Sequence, residues 1–145
     1  MLVDNMKVLQ ASSFSLYLKA ANFHWNTEGP NFPQNHEFFG DFYSEIYGTI
    51  DGIAEYIRAL DSYAPASFAR FSELTLIKDQ TLQLLPVDQF TELLADSNIM
   101  LTFLNETFTV AIAENQQGIA NFIAERVDAM QKHNWMLRSI LKARM

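Results

Sequence analysis

Between Phe42 and Leu60 the apolar residues Phe42, Ile46, Ile50, Ile53, Ile57 and Leu60 recur four and three positions apart. That rhythm follows the 3.6-residue turn of an α-helix and leaves one apolar stripe that has to be covered. Only other long helices cover such a stripe well, and the chain supplies them. Leu94, Leu101, Leu104, Phe108 and Ala111 form a second stripe, and Ile123, Val127, Met130, Leu137 and Leu141 a third. Near the start, Phe14, Leu18, Ala21 and Trp25 recur at helical spacing, so a first helix is expected there.

The breaks fall between these stripes. Gly29, Pro30 and Pro33 in TEGPNFP stop a first helix of about residues 4–26. Pro86 stands just ahead of a third long helix, about 87–113, where a helix start tolerates it. The run NQQG separates that helix from a fourth, about 117–143. Between the second and third helices, DSYAPASFARFSEL contains Pro65 and enough apolar residues for one short helix. Four long helices with a long central connection imply an all-α, ferritin-like four-helix bundle with a short extra helix in the crossover. No repeat or low-complexity tract divides the 145 residues, so one domain over 1–145 is expected.

Composition narrows the function. Nearly half the residues are apolar and there are twelve Phe against five Gly and four Pro, which fits a packed core and not a disordered chain. No cysteine is present, which removes disulfides and thiol chemistry. No apolar run is long enough to span a bilayer, and MLVDNMKVLQ lacks the features of a signal peptide, so a cytoplasmic protein without membrane contacts is expected. The net charge of -7, with ten scattered Lys and Arg, argues against nucleic acid as the main partner and favours cations.

The residues able to bind a cation are unevenly placed. His24 and His36 stand twelve positions apart, and Asp51 and Glu55 follow one helical turn apart. Imidazole with carboxylate suits iron, zinc or manganese. If His36 to Glu55 is one helix, Asp51 lies roughly 22 Å beyond His36, too far for one metal. The two halves either serve different ends or meet only when a second subunit brings its Asp51 and Glu55 to the first subunit's histidines. Each residue also has an ordinary role open to it: a histidine near a helix end often caps or packs, and Arg58, three residues after Glu55, is placed to pair with it. The Glu-x-x-His pairs of intrasubunit di-iron bundles are missing, because Ala21, Pro33 and Met130 precede His24, His36 and His133 by three.

The stretch NFHWNTEGPNFPQNHEFFGDFYSEIYGTIDGIAEYIRALD resembles the signature of the Dps family, the mini-ferritins. The shared pattern is His-Trp, Gly, Phe, then His, and later Asp-x-x-Ala-Glu. AERVDAMQKHNWMLRSIL, with Trp135, Met136 and Leu137, is similar to the family's last helix. The resemblance implies a hollow shell of twelve four-helix subunits built from two-fold dimers, with ferroxidase sites at the dimer interfaces. By position, His24 and His36 would be ligands from one chain, and Asp51 and Glu55 from the other, Glu55 bridging toward a second metal. Trp25 would sit beside the site and take up oxidising equivalents.

The match has gaps. Four residues after His36, where the family usually has another acidic ligand, stands Gly40. Asp41 is one residue further and ~100° away around the helix, so it would serve as a metal ligand only if the backbone shifted near Gly40; Glu37 is a poorer substitute. Where the family commonly has acidic pore residues, Gln116, Gln117 and Asn121 appear, with Glu114 and Glu125 nearby. Lys7 is the only basic residue of the first ten, and Lys142 with Arg144 makes a small cluster at the other end, so DNA binding should be weak or absent. The expected activity is a ferroxidase: Fe2+ is oxidised by hydrogen peroxide, or more slowly by dioxygen, and stored as ferric mineral. The alternative is a Dps-like structural or binding shell whose centre Gly40 has disabled, and zinc or manganese would fit the same donors.

Overall fold

The computed structural model describes residues 1–142 as helices α1 (Leu2–Asn26), α2 (Phe32–Ala59), α3 (Phe68–Leu74), α4 (Pro86–Ala113) and α5 (Gln117–Leu141). The four long helices fall where the apolar stripes put them, and α3 is the short helix of the central connection. Position 143 of the expected fourth long helix and Arg144 lie outside the described residues. Pro33 and Pro86 occupy first-turn positions of α2 and α4, where a missing N–H costs no intrahelical bond. Gly29 turns the chain between α1 and α2 at φ +126°, a conformation that side chains oppose. Asn115, at φ +58°, takes the left-handed form that closes α4.

The α1–α2 and α4–α5 hairpins enclose one continuous apolar core. Phe42, Ile46, Ile53 and Ile57 bring α2 into it, and Ile123, Met130 and Leu137 bring α5. Each such side chain contributes about 1.5–3 kcal/mol by leaving water. On α1 the residues whose spacing marks the helix and the residues that are buried are different sets. The buried stripe is Leu2, Met6, Leu9, Leu16, Ala20 and Phe23. Of Phe14, Leu18, Ala21 and Trp25 only Ala21 is buried; Leu18 is 41% and Trp25 62% exposed. Helical spacing identifies an apolar face, and α1 has two. One packs inside the subunit; the other, with Phe14, Leu18 and Trp25, faces outward.

Two polar clusters cross the interior. Lys19 of α1 reaches Glu92 at 2.9 Å and Asp96 at 2.8 Å on α4. Burial alone would lower the Lys19 pKa, but its two carboxylate partners outweigh that and raise it. On the other side of the bundle, Arg126 of α5 donates both guanidinium arms to Glu45 of α2, and His133 Nε2 lies 2.9 Å from the same carboxylate. Partial burial pushes Glu45 upward, but the hydrogen bonds and charges of His133 and Arg126 bring it down to about 2.

The crossover is fastened to α1. Ser67 caps α3 by accepting from the Arg70 amide, Phe71 stacks on Phe14 at 4.9 Å, and the Leu76 amide donates to Ser12 Oγ. No residue of α3 is buried, and Phe68 is 79% exposed. An apolar strip of α1, α2 and α3 is thus left uncovered by the chain's own helices.

Candidate metal centre

His24 lies in the last turn of α1 and His36 in the first turns of α2, so the short Gly29 turn brings them together. Their rings stack with centroids 3.8 Å apart. Each ring is fixed by the other residue's backbone: His24 Nδ1 lies 2.6 Å from the His36 carbonyl, and His36 Nδ1 lies 2.6 Å from the His24 carbonyl. A carbonyl oxygen only accepts, so both Nδ1 atoms carry the hydrogen. In the neutral rings both Nε2 atoms are therefore bare lone pairs, the state in which imidazole binds a metal, oriented by the backbone behind it. Phe32 stacks on His36 at 5.0 Å and Tyr43 meets the His24 ring edge-on at 5.4 Å. The pair is half-buried and rigidly framed.

Gly40 is part of that frame. In a helix the carbonyl of residue 36 points at residue 40, so a ring bonded to that carbonyl must lie over position 40. A Cβ placed there would fall 2.9 Å from His24 Cε1 and 3.0 Å from Nδ1. The helix runs on through Gly40 without interruption, so no backbone shift brings Asp41 onto the histidines' face; Asp41 stays exposed on the next face. Glu37 is likewise exposed.

Asp51 and Glu55 form the other half of the constellation. Both are exposed on α2 one turn apart, and Asp51, as a hydrogen-bond partner of the protonated acid and as a neighbouring negative charge, raises the Glu55 carboxyl above its ordinary range. Two carboxylates held this close repel, and a cation between them relieves the repulsion. Arg58 does not do so. Its guanidinium donates to the Ser62 carbonyl and lies 4.6 Å over the Tyr63 ring, so the pairing with Glu55 that sequence spacing allowed is not formed. Among the described residues no ion pair reaches Asp51 or Glu55.

The continuous α2 helix keeps the two halves roughly 22 Å apart. Among the described residues of one chain, no three His, Asp or Glu gather around a point that could hold a metal. The carboxylates border an apolar surface. A groove of about 750 Å³ beside Asp51 is lined by Phe14, Tyr47, Ile50, Ala54, Phe68 and Phe71. Trp25, next to His24, is exposed on the same outward side of α1 as Leu18. Sequence reasoning had no means of finding the reciprocal histidine–carbonyl bonds or the Tyr43 and Phe32 walls. The one signal it saw, Gly40, was read only as a missing ligand.

Known proteins with this architecture bear directly on the arrangement. The family model for a ferritin-like domain matches residues 4–145. The "DNA protection during starvation protein" of Brevibacillus brevis is 31% identical, over 88% of this chain and 85% of its own. Antigen TpF1 of Treponema pallidum is 30% identical over 88% of this chain and 73% of its own. The crystal structure of TpF1 superposes with a TM-score of 0.95 at 27% identity, covering 98% of this chain and 92% of that one. That of Dps from Thermosynechococcus elongatus gives 0.96 at 26%, covering 99% and 91%. The all-α bundle accords with these likenesses, and the chain belongs to the Dps family of ferritin-like proteins.

Proposed function

We propose that this chain is the subunit of an iron-oxidising and iron-storing shell, with each Fe2+ site assembled from two subunits. One observation carries the reading: the chain has two complementary half-sites and cannot close them on itself. At one end of α2 lie two neutral donors with bare Nε2 atoms; at the other lie two mutually repelling carboxylates without a cation. A two-fold contact, in which the same patch serves both partners, sets each half-site against its complement. The apolar strip of Phe14, Leu18, Tyr47 and Phe68 beside Asp51 supports a subunit contact on this face.

In such a centre His24 and His36 supply nitrogen ligands, Asp51 and Glu55 of the facing subunit supply charge, and the remaining coordination positions are open to oxidant. Hydrogen peroxide takes one electron from each of two Fe2+ ions, and the ferric product mineralises inside the closed shell, here a dodecamer. Metal-centred electron transfer of this kind needs no general base. Trp25, next to His24 in the chain and exposed, would give up an electron when the oxidant outruns the iron. Zinc and manganese fit the same donors and would compete as bound but unoxidised ions.

The name of the Brevibacillus brevis relative describes DNA protection. For this chain a net charge of -7 makes a DNA coat a poor fit, and protection is better ascribed to removing Fe2+ and peroxide, the reagents that together generate hydroxyl radicals. The test is an anaerobic Fe2+ titration of the purified assembly followed by a stoichiometric peroxide pulse. Saturable binding and rapid formation of a soluble ferric product are expected. Iron that oxidises only as it does in buffer would refute the reading.

A further inference from the structure

We propose that Gly40 is a positioning residue that seats the His24 ring, and that the missing side chain limits each shared centre to one divalent cation. The inference deepens the iron-oxidising reading above and rests on it. Position 40 lies one turn after His36 on the same face of α2, so it is where a further carboxylate would point at the histidine-bound metal. The geometry closes that option. His24 Nδ1 reaches the His36 carbonyl by lying across position 40, and a Cβ there would stand 2.9 Å from Cε1, inside ordinary contact. The ring has little room to give. His36 stacks on one face at 3.8 Å, Tyr43 abuts it at 5.4 Å, and moving away breaks the bond that fixes its tautomer. As the His24 ring is seated in this chain, a side chain at 40 would meet it and the ring would have to shift.

The ligand charge follows. Two neutral imidazoles and the two carboxylates of the facing subunit balance one divalent cation. A second cation on the histidine side meets no carboxylate, since Asp41 and Glu37 are directed elsewhere. Restoring an acid at position 40 should then weaken the site, the reverse of what ligand counting alone suggests. Losing the backbone partner of a metal-bound histidine typically costs 10–100-fold in affinity, so a drop of about that size is expected for both Gly40→Ala and Gly40→Asp.

The experiment has a metal-free arm and a metal arm, run on assembled wild-type, Gly40→Ala and Gly40→Asp protein, with thermal melting and assembly size as folding controls. Imidazole ¹⁵N and ¹³C shifts in the metal-free wild type should show Nδ1–H, bare-Nε2 tautomers for both His24 and His36. The variants should lose this for His24. Anaerobic Fe2+ titration should saturate at one ion per chain in the wild type and be weakened in both variants. Gly40→Asp binding more tightly, or raising the stoichiometry to two, would overturn the proposal, as would two ions per chain in the wild type. An unchanged His24 tautomer in Gly40→Ala would overturn the seating itself. Should wild-type protein bind no Fe2+ while His24 responds to Gly40→Ala, the iron-oxidising reading and the one-cation conclusion fall, and the seating of His24 stands.

Discussion

Charged groups in the bundle interior and charged groups on its outer face are treated in opposite ways. Inside, every cluster is neutralised by the chain itself: Lys19 lies between Glu92 and Asp96, and Glu45 takes both arms of Arg126 and the His133 ring. A metal entering there would have to displace a cation already in place. Outside, among the described residues, the histidine pair leaves both Nε2 atoms without a protein partner, and Asp51 and Glu55 lie one turn apart with no cation, Arg58 having turned to Ser62. Sequence composition treats these residues alike. Whether a protein cation sits within reach separates a structural carboxylate from one left for a ligand.

The contrast is broken most severely by exchanging the fates of the two regions. Glu55→Ala or His36→Ala should abolish saturable Fe2+ binding while leaving the thermal midpoint of the metal-free protein nearly unchanged; calorimetry and titration on the same preparation read both. Glu45→Ala should do the reverse. It strands Arg126 and His133, and because Glu45 is about a third exposed the loss should be about 2 kcal/mol, below the 3–5 of a fully buried broken pair. Denaturant unfolding should show that loss, with Fe2+ stoichiometry per folded chain intact.

Acid should separate the regions in order. Glu45 is depressed from its ordinary value of 4.5 to about 2, so its contribution to stability is present above the ordinary value and disappears as pH falls through about 2. The outer site loses charge earlier, because Asp51 holds the Glu55 carboxyl above its ordinary range and it takes up a proton at higher pH than Glu45 does. Iron binding should thus vanish well before helical circular dichroism does, and coincident loss would contradict the division. The smallest effect belongs to Arg58→Ala. If Arg58 leaves the carboxylate pair alone, Fe2+ affinity should change by less than about twofold; a marked rise would mean that Arg58 neutralises Glu55 in solution.

Much of this was legible in the chain because helices write their periodicity locally. The four long helices, the crossover and the separation of His36 from Asp51 need only spacing and a rise of 1.5 Å per residue. Which face of α1 is buried was not legible, because the helix carries two apolar stripes and spacing does not say which one packs inside; Leu18 and Trp25 stay exposed. The Glu45 cluster was invisible because its partners are 81 and 88 positions away and carry no local pattern. Gly40 lay between these cases. Its place in the ligand spacing was plain, but that an imidazole lies over it follows only from how the Gly29 turn folds α1 back onto α2.

The central claim is that each metal site belongs to two chains, and subunit complementation tests it most directly. His36→Ala and Glu55→Ala proteins, each inactive alone, are dissociated, mixed in equal amounts and reassembled. In a mixed two-fold dimer one site collects both lesions and the other collects none, so random mixing should restore roughly a quarter of the wild-type Fe2+ sites. Activity that returns to about that level on mixing is the predicted result. A mixture as inactive as its components would contradict it, since it would mean that the histidines and carboxylates never meet across subunits.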